Sequence, residues 1–320
     1  MCDNNLISFD DAKEQLDNLM KSLSKSVRQK LCSYTIRKWM STLEDETGSL
    51  NNHSFNQNDN DSDDDILDDP MNILNSIIAE IRPKVPISGI FPSETLLLPE
   101  KGENSIDPKS ADYVDAFLYS DDELDDLEEK GIAPTHYCQD CNSKNIKSIS
   151  TFTHSLSKDD LFYIFDTLLP VLPGKIILDV GSRLGAVLYG AYVFTDAAKI
   201  IGVEMNNEFC QLQNEIIKKF KMEKRIKVFH KRIEDCVDIV KTADVVILNN
   251  AFEFFLPENE QAKVWNFLRQ HIKKDAFIVT KPRIDVTLKN FGNEVNINID
   301  NWVEVVDANE LNEITCYRVL

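Results

Sequence analysis

Ile176-Ile177-Leu178-Asp179-Val180-Gly181-Ser182-Arg183-Leu184-Gly185 is the stretch of sequence that decides the fold. Its first five residues are apolar except for one acid, which predicts a buried strand, and two glycines follow at once. An apolar run resumes after Gly185 and predicts a helix that begins directly at the turn. A glycine-bearing turn between a strand and a helix lets backbone N–H groups approach a nucleotide-like ligand. This stretch therefore predicts the first strand, ligand turn and first helix of an α/β sheet.

Strand and helix patterns alternate from residue 151 onward. The predicted strands are 175–180, 199–204, 225–230, 243–249, 275–280, 295–306 and 312–319, and the last two are expected to form a hairpin-like pair. The predicted helices begin with one capped by Ser157 and continue with 184–195, 207–221, 233–241 and 258–273. Apolar strands that alternate with helices predict a doubly wound, mostly parallel, seven-stranded Rossmann-like sheet with helices on both faces.

The sequence before this region divides by composition into three parts. Residues 1–44 contain an amphipathic, basic helical pattern that would dock on the chain's own core or on a partner. Residues 45–70 are rich in Asn, Asp and Ser and predict an acidic, disordered linker. Residues 71–150 are interrupted by prolines and predict an irregular extension that packs on the main domain, residues 151–320.

The charge of the chain narrows the classes of partner. The net charge is −19, and residues 151–320 hold 21 basic and 24 acidic side chains, so that residues 1–150 carry −16 of the total. This acidity disfavours tight binding to duplex nucleic acid and would suit a basic partner, although solvation alone also explains it. Neither a membrane span nor a secretory signal is predicted, and seven scattered cysteines indicate a reducing compartment. We expect the protein in the cytoplasm or the nucleus.

The glycine turn resembles motif I of the class I S-adenosylmethionine-dependent methyltransferases. In that family the turn approaches the amino-acid end of the cofactor. The resemblance implies cofactor contacts by Asp179, Gly181, Ser182 and Gly185. The next predicted strand ends at Glu204, where a carboxylate can accept hydrogen bonds from both ribose hydroxyls. S-adenosylmethionine is the expected cofactor.

Two acidic residues follow the third predicted strand. In the methyltransferase family a side chain at this place commonly contacts the adenine amino group, which makes Glu234 and Asp235 candidates. Asp235 is equally suited to cap the helix that follows.

Paired asparagines follow the fourth predicted strand, where ligands of parallel sheets bind. Val246–Phe255, with Thr280-Lys281-Pro282, resembles the non-SET histone-lysine methyltransferases, and the likeness covers about residues 176–285. It implies a catalytic role for Asn249 and Asn250, which would orient the acceptor nitrogen, and for Phe252, which would exclude water. Asn249 is also a candidate cofactor contact. The alternative is that the asparagines cap the following turn.

This likeness is partial. Ala251 follows the asparagines and shifts the aromatic residue by one position, and the prolines of the Asn-Pro-Pro-aromatic motif of amino-group methyltransferases are absent.

A half-site for zinc stands earlier in the chain. Cys138 and Cys141 form a CxxC pair, and His154 follows at a distance. A structural zinc site normally has four ligands, and the sequence contains no second CxxC. We therefore predict no metal, and the alternative to a zinc site is a reduced surface knuckle.

These patterns predict a methyltransferase that acts on a nitrogen of a protein substrate. Arg183 stands in the cofactor turn where a small residue is usual, and it motivates a second hypothesis. A guanidinium there would fill the site of a catalytically inactive binding module, pair with the cofactor's carboxylate, or turn to solvent. A nucleic-acid methyltransferase is a third possibility that the charge disfavours.

Overall fold

The computed structural model describes residues 9–23, 27–28, 31, 69–94, 111–131, 136–138, 146–148, 150–289, 297–308 and 313–320. The chain divides into two compact units, Met1–Asn60 and Asp61–Leu320. Helix α1 (Phe9–Ser22) belongs to the first unit and leaves Leu16 and Leu19 about half exposed. Most of the helical pattern after Ser22 and nearly all of the linker 45–70 lie outside the described residues.

The second unit contains the remaining elements. Its helices are α2 (Pro70–Ile81), α3 (Asp121–Glu129), α4 (Lys158–Phe162), α5 (Ala186–Phe194), α6 (Asn207–Lys219), α7 (Val237–Thr242), α8 (Glu258–His271) and α9 (Ile284–Lys289). Its strands are β1 (Ala111–Tyr113), β2 (His136–Cys138), β3 (Ile146–Ser148), β4 (Ser150–Phe152), β5 (Ile176–Val180), β6 (Lys199–Glu204), β7 (Ile226–His230), β8 (Val245–Asn249), β9 (Phe277–Lys281), β10 (Val303–Ala308) and β11 (Thr315–Val319).

The seven-stranded sheet has the order β10-β11-β9-β8-β5-β6-β7. Strands β5 to β9 are mutually parallel, whereas β11 is antiparallel to both of its neighbours. The chain leaves β5 toward β6 and β7 and then returns to the other side at β8. The end of β5 is therefore the switch point at which ligands of such sheets bind. The predicted fold class is confirmed: this is a doubly wound, mostly parallel, seven-stranded α/β sheet with helices on both faces.

Two apolar layers cover the sheet. One layer includes buried side chains of α2, α5 and α6, and the other includes those of α7, α8 and α9. Because β5 and β8 carry apolar side chains to both faces, their sequences read as continuous apolar runs rather than alternating ones.

Helix α2 begins where the sequence supplies a cap and a starting proline. The Asp69 side chain accepts a hydrogen bond from Met71 N, and Pro70 is the first helical residue. Apolar side chains at three- and four-residue steps are buried on one face: Leu74, Ile77, Ile78 and Ile81. Each such side chain stabilises the fold by about 1.5–3 kcal/mol. Helix α2 therefore anchors the segment that follows it, residues 86–94, to the main core.

Two local expectations are corrected by the structure. The strand predicted over 295–306 begins only at Val303, because the Asn298 side chain accepts from Asn301 N and closes a 3₁₀ turn over Ile299–Asn301. The helix capped by Ser157 is α-helical only to Phe162 and then widens into a π-helical turn, Tyr163–Leu168. The closing pair of strands is antiparallel as expected, but β11 lies between β9 and β10.

Candidate active site

The turn after β5 adopts a conformation that requires its glycines. Gly181 has φ +77° and Gly185 has φ +85°, a region that other residues enter only with strain. The amides of Gly181 and Ser182 both donate to Val203 O, at 2.8 and 3.3 Å, which holds the turn against the end of β6. A Cβ atom at Gly185 would lie 2.7 Å from Cζ of Tyr189. The turn is thus fixed by backbone geometry as well as by its packing on α5.

Two clefts share Gly181 in their linings. Their volumes are about 380 Å³ and about 300 Å³, and both values include space that is open to solvent. The first is lined by Val180, Gly181, Val203, Met205, Lys231, Arg232, Ile233, Glu234, Ala251, Phe252, Leu256 and Val264. The second is lined by His154, Ser155, Leu156, Asp179, Gly181, Ser182, Arg183, Ala186, Val187 and Asn249. One ligand that crosses Gly181 would reach both.

The first cleft is largely apolar. Phe252 forms its wall and is held edge-on against Trp265, with ring centroids 5.9 Å apart. Glu234 is its acidic member and is paired with Arg232 at 3.3 Å. Asp235, the other predicted adenine contact, is exposed and does not line either cleft. The cleft suits a flat aromatic group with an amino substituent facing Glu234.

Glu204 is turned toward the backbone rather than toward either cleft. Its Oε2 accepts from Arg183 N at 2.9 Å and its Oε1 from Asn206 N at 2.7 Å. Burial raises the pKa of this carboxyl, and the two amide hydrogen bonds oppose that rise. Both oxygens thus hold the glycine turn and the start of α6 in place, and the ribose contact expected of Glu204 stays a prediction.

Asp179 reaches the second cleft from β5. Its side chain is buried, and no described side-chain hydrogen bond involves it. Burial, reinforced by the nearby charge of Glu204, raises the pKa of the Asp179 carboxyl well above its usual range. A bound cation beside Asp179 and Glu204 would instead lower the pKa of the Asp179 carboxyl.

Ser182 lines the second cleft, but its hydroxyl is hydrogen-bonded to a side chain of α6. Its Oγ donates to Oε1 of Gln213 at 2.8 Å, and Nε2 of the same Gln213 donates to Arg183 O at 2.7 Å. Gln213, fully buried on α6, was not singled out from the sequence. Its hydrogen bonds make it part of the support of the turn.

The three predicted catalytic residues separate in space. Asn249 lines the second cleft, where its Nδ2 donates to His154 O at 3.0 Å and its Oδ1 is buried without a hydrogen-bond partner. Asn250 has φ +44° and donates its backbone N–H to Lys281 O at 2.8 Å, and it lines neither cleft. Phe252 belongs to the first cleft. Of the three, Asn249 alone lines the second cleft, and Phe252 alone lines the first.

His154 is a site residue that sequence reasoning noticed only as a zinc candidate. It is 5% exposed, and neither ring nitrogen has a hydrogen-bond partner within the described part of the chain. Aromatic rings surround it: Tyr113 at 5.5 Å, Phe254 at 5.0 Å and Phe255 at 5.3 Å between centroids. Burial, with a smaller contribution from the charge of Arg183, lowers the pKa of His154 to about 3, so its imidazole is neutral at physiological pH.

Arg183 turns away from the first cleft toward the segment after α2. Its guanidinium pairs with Glu94, with Nε–Oε1 at 3.1 Å and Nη2–Oε2 at 3.0 Å, and donates to Gly89 O at 3.0 Å. The rings of Phe209 and Phe255 lie 5.1 and 5.5 Å from its Cζ. Its Nη1 is buried without a partner. Arg183 thus fastens residues 86–94 beside the turn.

A further set of contacts holds residues 86–94 against α6. Phe91 packs on Phe209 with ring centroids 4.8 Å apart. Ser93 Oγ donates to the Glu208 carboxylate and accepts from Nδ2 of Asn206 at 2.9 Å. No periodicity in the sequence indicates that a segment ninety residues upstream would cover the cofactor turn.

The zinc half-site can be followed only in part. Cys141 and the Cys138 side chain lie outside the described residues. Within the described part of the chain no group of three or more His, Cys, Asp and Glu side chains could hold a metal ion. No helix among the described residues is long and apolar enough to span a membrane.

Comparison with known proteins gives structural similarity only. No family model matches the chain. No curated protein matches it either. Among solved structures, it is similar to a putative methylase from Haemophilus influenzae (18% identity, TM-score 0.37, covering 49% of this chain and 94% of that one). It is also similar to a putative methyltransferase from Escherichia coli (16%, TM-score 0.39, 50% and 84%).

A third similar structure is an RNA methyltransferase from Salinibacter ruber in complex with S-adenosyl-L-homocysteine (15% identity, TM-score 0.34, covering 51% of this chain and 88% of that one). Similarities at this level carry no argument about activity.

Proposed function

We propose that this protein is an S-adenosylmethionine-dependent methyltransferase that acts on a nitrogen of a protein substrate. The observation that carries the proposal is the pair of clefts that meet at Gly181, at the switch point of the seven-stranded sheet. An elongated cofactor with a flat heterocycle at one end and a polar group at the other matches such a pair of clefts.

The polar atoms of the second cleft fit the α-amino-acid end of the cofactor. Arg183 Nη1 is a buried cationic donor without a partner and would meet a carboxylate. Asp179 is an acceptor that would meet an ammonium group, and the unpaired Oδ1 of Asn249 is left for the methyl acceptor. Because the two unpaired atoms are buried, a ligand reaches them only when a side chain moves and the cleft widens. Leaving such atoms unpaired costs about 1–3 kcal/mol each, which a bound ligand would recover.

The adenosine end would occupy the first cleft, against Phe252 and beside Glu234. When bound, the cofactor supplies an electrophilic methyl group on a sulfonium. The task that remains for the protein is to hold a nucleophile in line with that group and to exclude water. Asn249, in the second cleft, is placed to position the acceptor.

The acceptor class rests on charge and on the partial resemblance to protein methyltransferases. The net charge of −19 works against a polyanionic substrate and favours a protein with basic segments. The cysteine content supports a cytoplasmic or nuclear site of action. A nucleic-acid acceptor and an inactive binding module are the alternatives, and Arg183 motivates the second.

Calorimetry with S-adenosylhomocysteine tests the cofactor assignment. We expect the wild-type protein to bind it, and Gly181→Ala to weaken binding at least about tenfold, because the new methyl group would stand beside Ala251 in the lining of the first cleft. Gly174→Ala is the matched control: Gly174 has φ +74°, close to the +77° of Gly181, and a Cβ atom there would meet nothing within 4 Å. No heat of binding in a folded wild-type sample would exclude the enzyme hypothesis.

Methyl-tritiated S-adenosylmethionine tests the acceptor class. Wild-type protein and Asn249→Ala are incubated with a cell extract that has been divided into protease-treated and nuclease-treated portions. With wild-type protein we expect tritium label in the nuclease-treated portion and none in the protease-treated portion. With Asn249→Ala we expect no label in either portion. Label that is lost with nuclease instead would establish the nucleic-acid alternative.

A further inference from the structure

His154 is a buried histidine whose ring nitrogens find no hydrogen-bond partner among the residues that the structure describes. The residue is only 5% exposed, so solvent does not replace the missing partners. A neutral imidazole presents one donor and one acceptor, and burying them unpaired is costly. Such a group at the wall of a cleft indicates that its partner is a ligand.

The groups around His154 indicate which hydrogen-bonding groups that ligand carries. Asn249 donates to the backbone of His154, so the two residues are locked together, and Oδ1 of Asn249 is left as a second unpaired acceptor. Phe254 and Phe255 present their rings to the imidazole, which leaves no other described polar partner on that side. The unprotonated ring nitrogen of His154 and Oδ1 of Asn249 are acceptors on two residues that line one cleft, and such a pair is complementary to a nitrogen that carries two N–H bonds.

We propose that His154 is a catalytic residue that, with Asn249, binds the N–H groups of the methyl acceptor and takes up the proton which that nitrogen loses. The inference rests on the proposed function. The lone pair of the acceptor nitrogen forms the bond to the methyl carbon, and the electron pair of the broken carbon–sulfur bond stays on sulfur. One N–H proton passes to the free ring nitrogen of His154 and from there to solvent.

The basicity of this imidazole narrows the acceptor class. With a pKa of about 3, His154 cannot deprotonate an alkylammonium group such as that of lysine, whose pKa is about 10.4. It can take a proton from a conjugated amino group after the new bond has formed, because the alkylated cation of such a nitrogen is strongly acidic. The buried, aromatic surroundings of His154 and the unpaired Oδ1 of Asn249 likewise suit the neutral NH₂ of a side-chain carboxamide better than a lysine ammonium group, whose burial is costly.

Sinefungin provides a test that needs no acceptor. This analogue of S-adenosylhomocysteine carries an amino group where the transferable methyl group stands, so its N–H groups should meet His154 and Asn249. We expect wild-type protein to bind sinefungin about tenfold more tightly than S-adenosylhomocysteine in calorimetry, the value of two added hydrogen bonds. His154→Phe should bind S-adenosylhomocysteine normally and lose most of the tenfold preference, and His154→Gln, which keeps an acceptor, should retain part of it.

His271→Phe is the matched control, because His271 lies on α8 and its ring bonds Phe267 O instead of lining a cleft. It should leave both affinities unchanged. An undiminished preference in His154→Phe, or an equal loss of both ligands, would overturn the catalytic assignment while leaving the proposed function intact. If folded wild-type protein bound neither ligand, both the proposed function and the assignment of His154 would be overturned.

A measurement on the wild-type chain covers the case in which the variants do not fold. The nitrogen-15 resonance of the unprotonated His154 ring nitrogen should shift when sinefungin is added and stay in place with S-adenosylhomocysteine. The same shift with both ligands would place His154 at the cofactor rather than at the acceptor.

Discussion

Glu94→Ala removes the carboxylate that neutralises the arginine of the cofactor turn. The side chains of Arg183 and Glu94 are only 10% and 6% exposed, and two hydrogen bonds of about 3 Å join them. Truncating one partner of a buried pair leaves an uncompensated charge and costs about 3–5 kcal/mol. That is a large part of the roughly 5–15 kcal/mol by which a typical domain is stable. Since Gly89 O and two aromatic rings still contact the guanidinium, we expect the lower end of this range.

Urea denaturation followed by circular dichroism measures this loss as a fall in the midpoint at constant slope. Glu304→Ala is the matched control, because Glu304 also pairs with an arginine, Arg318, but both side chains are 48% exposed. Such a surface pair is worth about 0.2–1 kcal/mol. If Glu94→Ala loses no more stability than Glu304→Ala, the buried pair does not fasten residues 86–94 and the reasoning is refuted. The double variant Glu94→Leu with Arg183→Met, which removes both charges, should recover most of the loss.

Three further predictions concern the turn and its buried acids and bases. Gly185→Ala should destabilise the fold by more than the roughly 1–2 kcal/mol of a left-handed residue, because its Cβ atom would lie 2.7 Å from Tyr189 Cζ, and urea midpoints measure this. His154 has a pKa of about 3 in the folded protein and an ordinary pKa of 6.5 in the unfolded chain, so the unfolded state takes up the proton first. The free energy of unfolding should therefore fall as pH drops from 6.5 toward 3, and thermal melts should show a shallower fall for His154→Phe. Asp179 has a raised pKa, so the unfolded state ionises first above pH 3.8 and stability is lost as pH rises from there. Asp179→Asn should remove this loss and be the more stable protein at pH 7, and a variant less stable than wild type at pH 7 would contradict the cost assigned to burying this acid.

The sequence predicted the glycine turn after β5 because the requirements of that turn are local. Gly181 and Gly185 stand where only glycine adopts the backbone angles without strain, and that requirement is visible as residue type. The positions of Asp179 and Asn249 at strand ends likewise followed from the alternation of strands and helices. Their placement in one cleft follows from the parallel sheet.

The sequence did not predict the partners that decide what the site residues do. The oxygens of Glu204 accept from two backbone amides, which the sequence did not indicate, and its ribose contact stays a prediction. Arg183 pairs with Glu94, a partner that was not among the placements considered for it from the sequence. The Arg183–Glu94 pair depends on a segment that is distant in the sequence, and no periodic pattern carries that information.

The sequence by itself determined the architecture, since apolar periodicity, glycine turns and helix caps act within a few residues and repeat along residues 151–320. The tertiary structure decided the character of the site. His154 appears in the sequence as a lone histidine after a CxxC pair, and only folding buries it among aromatic rings beside Asn249. The physical reason is that burial and pairing, which set charge state and hydrogen-bonding capacity, are properties of contacts between distant parts of the chain.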